Sequence, residues 1–220
     1  MTRQISAFTP VHGLEGVYIA RAGRLHCFAL RLRNGGLCLY SPLGGLAADT
    51  RDQLESLGGV TVLLAPNHYH NKGLQEHVDA FPDALLVCTT AAEPRLRKVT
   101  GLSFAPLGML GTHLMDGHDF FEPEGVKTGE VWVQIEGAQT AWIVTDAFSA
   151  ELHPLGEYAT APNLLKTFPK YGVSDATRFR HSTLRLLEES TPTLLLCCHG
   201  SPVKAKNLHV QLSDLVADSF

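Results

Sequence analysis

The sequence predicts an α/β fold in which β-sheets are sandwiched between α-helices. Short apolar runs, typical of buried strands, alternate with amphipathic stretches that are typical of helices. The alternation occurs in two β-rich, helix-flanked halves of similar length, which favours sheets covered by helices. No repeat or long linker interrupts the 220 residues, so we expect a single domain over residues 1–220.

The first half of the chain is predicted to contain strands joined by tight turns and two helices. Asn34 and Gly35 separate two of the apolar runs and are a strong hairpin signal. A helix should begin with Asp49 or Thr50 as its N-cap and end at Gly58, and a shorter helix is expected near 73–81. The predicted strands are 16–20, 26–33, 37–41, 60–66 and 84–90.

The second half repeats the pattern of strands and helices. Two apolar runs flank Gly137 and are expected to form a hairpin. The two longest amphipathic stretches predict helices near 175–190 and at the C-terminus, 205–220. The predicted strands are 130–137, 140–146 and 193–200.

The composition excludes several classes of partner. The formal net charge is −4 and Lys and Arg form no basic block, so neither nucleic acid nor an anionic membrane is expected. No segment approaches the roughly 20 apolar residues of a membrane span, and the N-terminal stretch lacks the apolar core of a signal peptide. The five cysteines show no disulfide or zinc spacing. We expect a cytoplasmic protein with a small-molecule substrate or ligand, and a homo-oligomer remains open.

Metal-ligating side chains follow three of the predicted buried strands. His68 and His70 come after the fourth strand, Asp146 ends a later one, and His199 ends the last. Each alone is more simply a loop or capping residue. Ligands of α/β proteins, however, tend to bind at the C-terminal ends of strands, and imidazole and carboxylate groups suit Zn, Fe or Mn. Taken together, these residues favour a metal or other polar site at one sheet edge.

The order of these motifs resembles the metallo-β-lactamase superfamily over most of the chain. That family has an opening hairpin, an HxHxDH loop, an HTPG segment, a Gly-Asp pair and a closing His-Gly pair. The corresponding segments here are LCLYSPLGG, PNHYHNKGLQEH, VKTGEVWVQ, IVTDAF and CCHGSPV. The resemblance implies a four-layer αββα sandwich of the metallo-β-lactamase type. It also implies that Ser41 occupies the place of an Asp that usually lies near the family's site.

The resemblance further implies that the family's two-metal site is incomplete in this chain. Its seven ligands include four that match residues present here, namely His68, His70, Asp146 and His199. The other three are replaced by Lys72, Gly73 and Lys127. A lysine cation and the lost ligands should defeat a second divalent ion, because its binding would be opposed by charge repulsion. At most one metal ion is therefore expected.

The first hypothesis is a mononuclear metal-dependent hydrolase-like protein. One Zn, Fe or Mn ion would be held by His68, His70, Asp146 and His199. Asp146 or a histidine would orient the attacking water, and Lys72 would serve as a base if it were shielded from solvent. The histidines that could complete the ligand set are His113, His118, His153 and His181, with His153 favoured because it lies nearest to Asp146 in sequence.

The second hypothesis is a metal-free, non-catalytic relative that acts as a binding or interaction module. Here Lys72 would pair with Asp146 or donate to His199, and Lys127 would replace the charge of the first metal. The simpler alternative is that both lysines point to solvent. Cys197 and Cys198 adjoin His199, but they lie in an apolar run where cysteine behaves as a small hydrophobe, so thiol chemistry is not expected.

Overall fold

Apolar strands build a separate main sheet in each half of the chain. The computed structural model describes residues 4–220, with a first unit that ends at Asp116 and a second unit, Gly117–Phe220. Each unit has its own buried apolar cluster. The two β-rich halves expected from the sequence are therefore present. The single domain over 1–220, whose first three residues lie outside the described part, stays a prediction.

The first unit contains a sheet whose strands follow one another in chain order. Among the described residues, its seven strands are β1 Thr9–Pro10, β2 Val17–Ala22, β3 Leu25–Arg31, β4 Leu37–Tyr40, β5 Val60–Leu64, β6 Leu85–Cys88 and β7 Ala105–Pro106. Strands β1 to β4 pair antiparallel, and β4 to β7 pair parallel. Strand β5 pairs parallel with both neighbours and is buried along most of its length, on both faces, which explains its largely apolar sequence.

Helices connect the parallel strands of this first sheet, and a further short helix follows its last strand. Within the described part of the unit they are α1 Ala48–Ser56, α2 Leu74–Ala80, α3 Glu93–Thr100 and α4 Gly108–Gly111. The expected N-cap of α1 was wrong. The helix begins after Ala47, which gives no side-chain cap, and Asp49 lies in its first turn, where its Oδ1 accepts from the Thr50 amide at 2.8 Å. An apolar residue at the cap position provides no sequence signal for the true start.

The second unit has a mixed five-stranded sheet and a two-stranded ribbon. Its strands, over residues 117–220, are β8 His118–Phe121, β9 Trp132–Ile135, β10 Ala141–Val144, β11 Phe148–Ala150, β12 Pro162–Leu164, β13 Leu194–Cys197 and β14 Val203–Lys204. The sheet is ordered β14-β13-β10-β9-β8, and β11 pairs with β12 in the ribbon. The hairpin expected around Gly137 is β9 and β10, which pair antiparallel. Strands β10 and β13 pair parallel and are fully buried.

The second unit's helices cover an aromatic core. They are α5 Phe168–Tyr171, α6 Ala176–Ser190 and α7 Leu208–Ser219 within the described range. Trp132 of β9 packs against Trp142 of β10 with ring centroids 5.4 Å apart, and against Phe148 at 5.5 Å. Phe179 of α6 meets the edge of Trp132 at 6.2 Å. These contacts fix β9 and β10 against α6. Nowhere in residues 4–220 is there a helix long and apolar enough to cross a membrane.

Candidate functional site

Asp146 and His199 lie together in the second unit because the strands that precede them are parallel neighbours. Val144 at the end of β10 pairs with Cys197 at the end of β13, so the two strands end at the same edge of the sheet. Asp146 and His199 each lie two residues beyond these strand ends. His199 Nε2 lies 2.9 Å from Asp146 Oδ1. Asp146 is only 8% exposed. Within the second unit, the structure thus brings together the two ligands that the sequence suggested there.

Gly200 makes the turn that presents His199. Its φ is +90°, and a Cβ at this position would lie 1.9 Å from the carbonyl oxygen of Ala150. The Ala150 amide donates to the His199 carbonyl at 3.0 Å, and the Ser201 amide donates to Glu151 at 3.1 Å. Only glycine fits between these contacts, which accounts for the His-Gly pair in the sequence.

Glu130 is a buried carboxylate that sequence reasoning missed. It is 1% exposed, and its Oε1 accepts from the consecutive amides of Thr145, Asp146 and Ala147 at 3.3, 3.1 and 3.0 Å. The Trp132 indole also donates to Oε1, at 2.8 Å. A glutamate inside the otherwise apolar segment that begins β9 was the available signal, since buried acidic residues need partners.

The pKa of Glu130 reflects this enclosed position. Burial, followed by the nearby charge of Asp146, raises the pKa of the Glu130 carboxyl to about 7, against the lowering effect of N–H donors from Ala147 and Trp132. The N–H donors of residues 145–147 and Trp132 favour the charged form of Glu130, whereas its burial disfavours that form. The donors also hold the carboxyl group close to the segment that carries Asp146.

His68 and His70 lie in a turn of the first unit rather than on a strand. Strand β5 ends at Leu64, two residues before the predicted end of this strand, and both histidines follow it as expected. The turn forms because Asn67 Oδ1 accepts from the amides of Tyr69 and His70 at 2.8 and 3.1 Å. The His68 ring meets the Tyr69 ring edge-on at 4.3 Å.

Ser41 contacts His70 directly. This buried serine follows β4, has a φ of 60°, and places its Oγ 2.7 Å from His70 Nδ1. The resemblance put Ser41 where the family usually has an aspartate. A neutral hydroxyl here fixes the orientation of the His70 ring without adding a negative charge.

Gly73 lies where a side chain has no room. A Cβ at this position would be 2.4 Å from the Leu43 carbonyl carbon, 2.5 Å from the Pro42 oxygen and 2.7 Å from the Gly44 nitrogen. All three are backbone atoms that cannot rotate away. The histidine that the family carries at this place is therefore excluded by packing as well as absent from the sequence.

Both substituted lysines are exposed in the structure. Lys127 Nζ donates to the Lys170 carbonyl at 3.1 Å, and its own amide donates to Gly172 at 2.8 Å. Lys127 therefore contacts backbone within the second unit. Lys72 is exposed too, so the shielding on which a role as a base would depend is not met.

The four histidines suggested as further ligands lie in different surroundings. The His153 amide donates to Ser201 Oγ at 2.8 Å, so its backbone lies beside the turn after His199. His118 lies on β8, and burial lowers its pKa. His181 is exposed on α6, and the His113 carbonyl accepts from Arg33 in the first unit at 2.9 Å.

The cysteines behave as buried hydrophobes. Across residues 4–220 the five cysteines are free thiols and all are buried. Burial raises the pKa of the Cys197 thiol, which keeps it protonated and unreactive. This environment agrees with the expectation that Cys197 and Cys198 do not supply thiol chemistry.

Comparison with known proteins places this architecture in a known fold. No protein-family model matches the chain, and no curated protein matches it in sequence. Among solved structures, a metallo-β-lactamase from Pontibacter korlensis is similar with a TM-score of 0.61 and 13% identity, covering 98% of this chain and 100% of that one. The metallo-β-lactamase DIM-1, in a crystal exposed to ceftazidime, is similar with a TM-score of 0.63 and 11% identity over 100% of both chains.

A third structure, VMB-1 at pH 5.5, has a TM-score of 0.63 and 11% identity, covering 100% of this chain and 99% of that one. Identities this low establish the fold alone, and the agreement extends over essentially the whole chain. The α/β fold predicted from the sequence is confirmed: the chain has the metallo-β-lactamase fold.

Proposed function

We propose that the chain is a hydrolase-like protein that holds at most one metal ion through His68, His70, Asp146 and His199. The observation that carries the proposal is the pairing of Asp146 Oδ1 with His199 Nε2, 2.9 Å apart at the ends of two parallel strands. A carboxylate oxygen and an imidazole nitrogen at this separation are suitable as adjacent ligands of one Zn, Fe or Mn ion. The donor set therefore fits such an ion.

The histidine turn of the first unit supports the same proposal. Ser41 Oγ engages Nδ1 of His70 at 2.7 Å, so coordination by this ring would fall to Nε2. A hydrogen bond to the other ring nitrogen is the usual way in which a protein orients a histidine ligand. His68 is 8% exposed in the same turn and is the second proposed ligand from this unit.

The substitutions limit the proposed site to one ion. Gly73 leaves no space for a histidine, because the backbone of residues 42–44 fills it. Lys72 brings a cation to the place of the family's loop aspartate. A second divalent ion would therefore lack ligands and meet a positive charge.

The reaction class that this arrangement suits is hydrolysis. A bound divalent ion supplies Lewis acidity that makes water a nucleophile at neutral pH and polarises the bond to be cleaved. Asp146 would accept a hydrogen bond from the attacking water and orient it, with His199 held beside the carboxylate. Lys72 remains a second predicted catalytic residue, and its exposed ammonium suits contact with a substrate better than proton abstraction.

Metal analysis of the purified protein tests the proposal. Protein prepared without chelator should contain close to one equivalent of Zn, Fe or Mn, and Asp146→Ala or His199→Ala should lose most of it. Asp119→Asn and His181→Gln change exposed residues of the same unit and should retain the wild-type content. A wild-type content well below one metal per chain would reject the metal site.

The same measurements test the alternative, a metal-free binding or interaction module. That alternative is favoured by the loss of three family ligands at Lys72, Gly73 and Lys127. It predicts no metal in the purified protein and an unchanged melting temperature after addition of Zn, Fe or Mn. A metal-dependent rise in melting temperature that is absent in Asp146→Ala would rule it out.

A further inference from the structure

We propose that Glu130 is a positioning residue whose buried carboxylate fixes the segment Thr145–Ala147 and so directs Asp146 toward His199. The inference deepens the proposed metal site and rests on it for one of its two measurements. Its geometry lies wholly within the second unit. Glu130 accepts from the backbone amides of Asp146 and of both its neighbours, so it acts through Asp146 instead of being a ligand or catalytic residue itself.

Three consecutive backbone amides converge on one oxygen atom of Glu130. Successive N–H groups that point to a common centre form an anion-binding concavity, which in many proteins holds phosphate or another external anion. Here the chain fills the concavity with its own carboxylate, at 3.0 to 3.3 Å from the three nitrogens. The segment therefore takes its conformation around Glu130 Oε1.

The same oxygen also accepts a hydrogen bond from a tryptophan of the aromatic core. Trp132 Nε1 donates to Oε1 at 2.8 Å, and the Trp132 ring is packed against Trp142 and Phe148. Glu130 lies two residues before Trp132, the first residue of β9, and β9 pairs with β10. The carboxylate is thus held by the rigid hairpin, and the segment after β10 is held by the carboxylate.

This arrangement determines where the Asp146 carboxylate lies. With its own amide and both flanking amides fixed, the backbone of Asp146 cannot rotate freely, and its side chain meets His199 Nε2 at 2.9 Å. Outer groups of this kind commonly control metal affinity about 10- to 100-fold by orienting the ligands. For Asp146, the contacts assign that role to Glu130.

Two variants separate positioning from a general effect on folding. Glu130→Gln keeps the shape and one acceptor oxygen but replaces the carboxyl group with an amide, which can never carry the negative charge that strengthens the bonds from the three backbone amides. Glu136→Gln makes the same change six residues later at an exposed position. Hydrogen exchange measured by NMR in the metal-free protein should accelerate tenfold or more at the amides of 145–147 in Glu130→Gln, with little change in β9 and β10. Glu136→Gln should match the wild type.

Zinc affinity supplies the second measurement. Competition with a chromophoric chelator should give a Kd for Zn²⁺ about tenfold or more weaker in Glu130→Gln, and an unchanged Kd in Glu136→Gln. A merely structural role would raise exchange throughout the β9–β10 hairpin and leave the Kd of the folded fraction unchanged. That result would overturn the inference, as would exchange and Kd both within twofold of the wild type.

The outcomes for the two proposals are distinguishable. If the wild type binds none of Zn, Fe and Mn, the metal site fails, and exchange at 145–147 alone decides the role of Glu130. If Glu130→Gln does not fold, the wild type still provides a test, because amides bound to a buried carboxylate should exchange far more slowly than those of exposed loops. Fast exchange of these three amides in the wild type would overturn the positioning role.

Discussion

At the scale of single residues, Gly73 shows why the missing ligand cannot simply be restored. A Cβ would approach three backbone atoms of residues 42–44 at 2.4 to 2.7 Å. We expect Gly73→Ala to lower the free energy of unfolding by roughly 2–3 kcal/mol, because the loop must move to admit the methyl group. Gly73→His should cost more and should not create a second metal site. Urea denaturation and metal analysis measure the two effects.

Gly108 offers a matched control for this substitution. It begins α4, and a Cβ there has no neighbour within 4 Å among the described atoms. Gly108→Ala should leave the free energy of unfolding unchanged or raise it by up to about 1 kcal/mol, because alanine favours helix more than glycine does. Equal stability of the two alanine variants would show that the loop near Gly73 moves without cost.

Two carboxylates of the second unit have different functions because they face different atoms. The Asp146 side chain meets an imidazole and is suited to bind or orient, whereas the Glu130 side chain meets backbone amides and is suited to hold a conformation. Only Asp146 lies at a strand end, where sequence patterns point to ligands. The difference is one of contacts, which residue type alone does not convey.

At the scale of elements, helix α6 depends on a polar cap at its first turn. Asp175 is its N-cap, and Oδ1 accepts from the Arg178 amide at 3.0 Å. The helix buries Phe179 against the aromatic core, so its start is fixed by both contacts. Asp175→Ala should lower the free energy of unfolding by about 1 kcal/mol, since a helix amide loses its acceptor.

Asp175→Asn is the matched control for the cap. Asparagine keeps an acceptor oxygen and is about as good an N-cap as aspartate, so it should stay within a few tenths of a kcal/mol of the wild type. Chemical denaturation of the two variants at the same pH gives the comparison. An equal loss in both would point to the charge of Asp175 near the helix terminus instead of the hydrogen bond.

At the scale of the whole molecule, sequence patterns predict the strands better than the contacts between distant residues. Continuous apolar runs correctly located β5, β10 and β13, because strands covered on both faces carry little else. The parallel pairing of β10 with β13 then places Asp146 beside His199. The start of α1 was missed because Ala47 carries no capping side chain.

Other features depend on tertiary contacts that no local pattern records. The donors to Glu130 include backbone amides 15 to 17 residues away, and every residue type except proline has such an amide. The crowding at Gly73 comes from residues 42–44, which approach only in the folded chain. The orientation of Lys127 toward Lys170 likewise follows from the fold. A sequence can show that a ligand is missing without showing what fills its place.

Each unit contains a histidine whose contribution to stability should fall in acid. Burial lowers the pKa of His77 in α2 and of His118 in β8, so at these two sites the folded state binds fewer protons than the unfolded state. The contribution of each histidine to the free energy of unfolding should therefore fall as pH drops below about 6.5, by at most about 1.4 kcal/mol per pH unit. In the second unit Glu130 acts in the opposite direction, because burial raises its pKa to about 7 and the folded state there binds more protons. His77→Gln and His118→Gln should each flatten this fall in metal-free protein, measured by urea denaturation between about pH 7 and 5. His181 is exposed, so His181→Gln should leave the pH dependence of the free energy of unfolding unchanged. Parallel curves for all three variants would contradict the assignment.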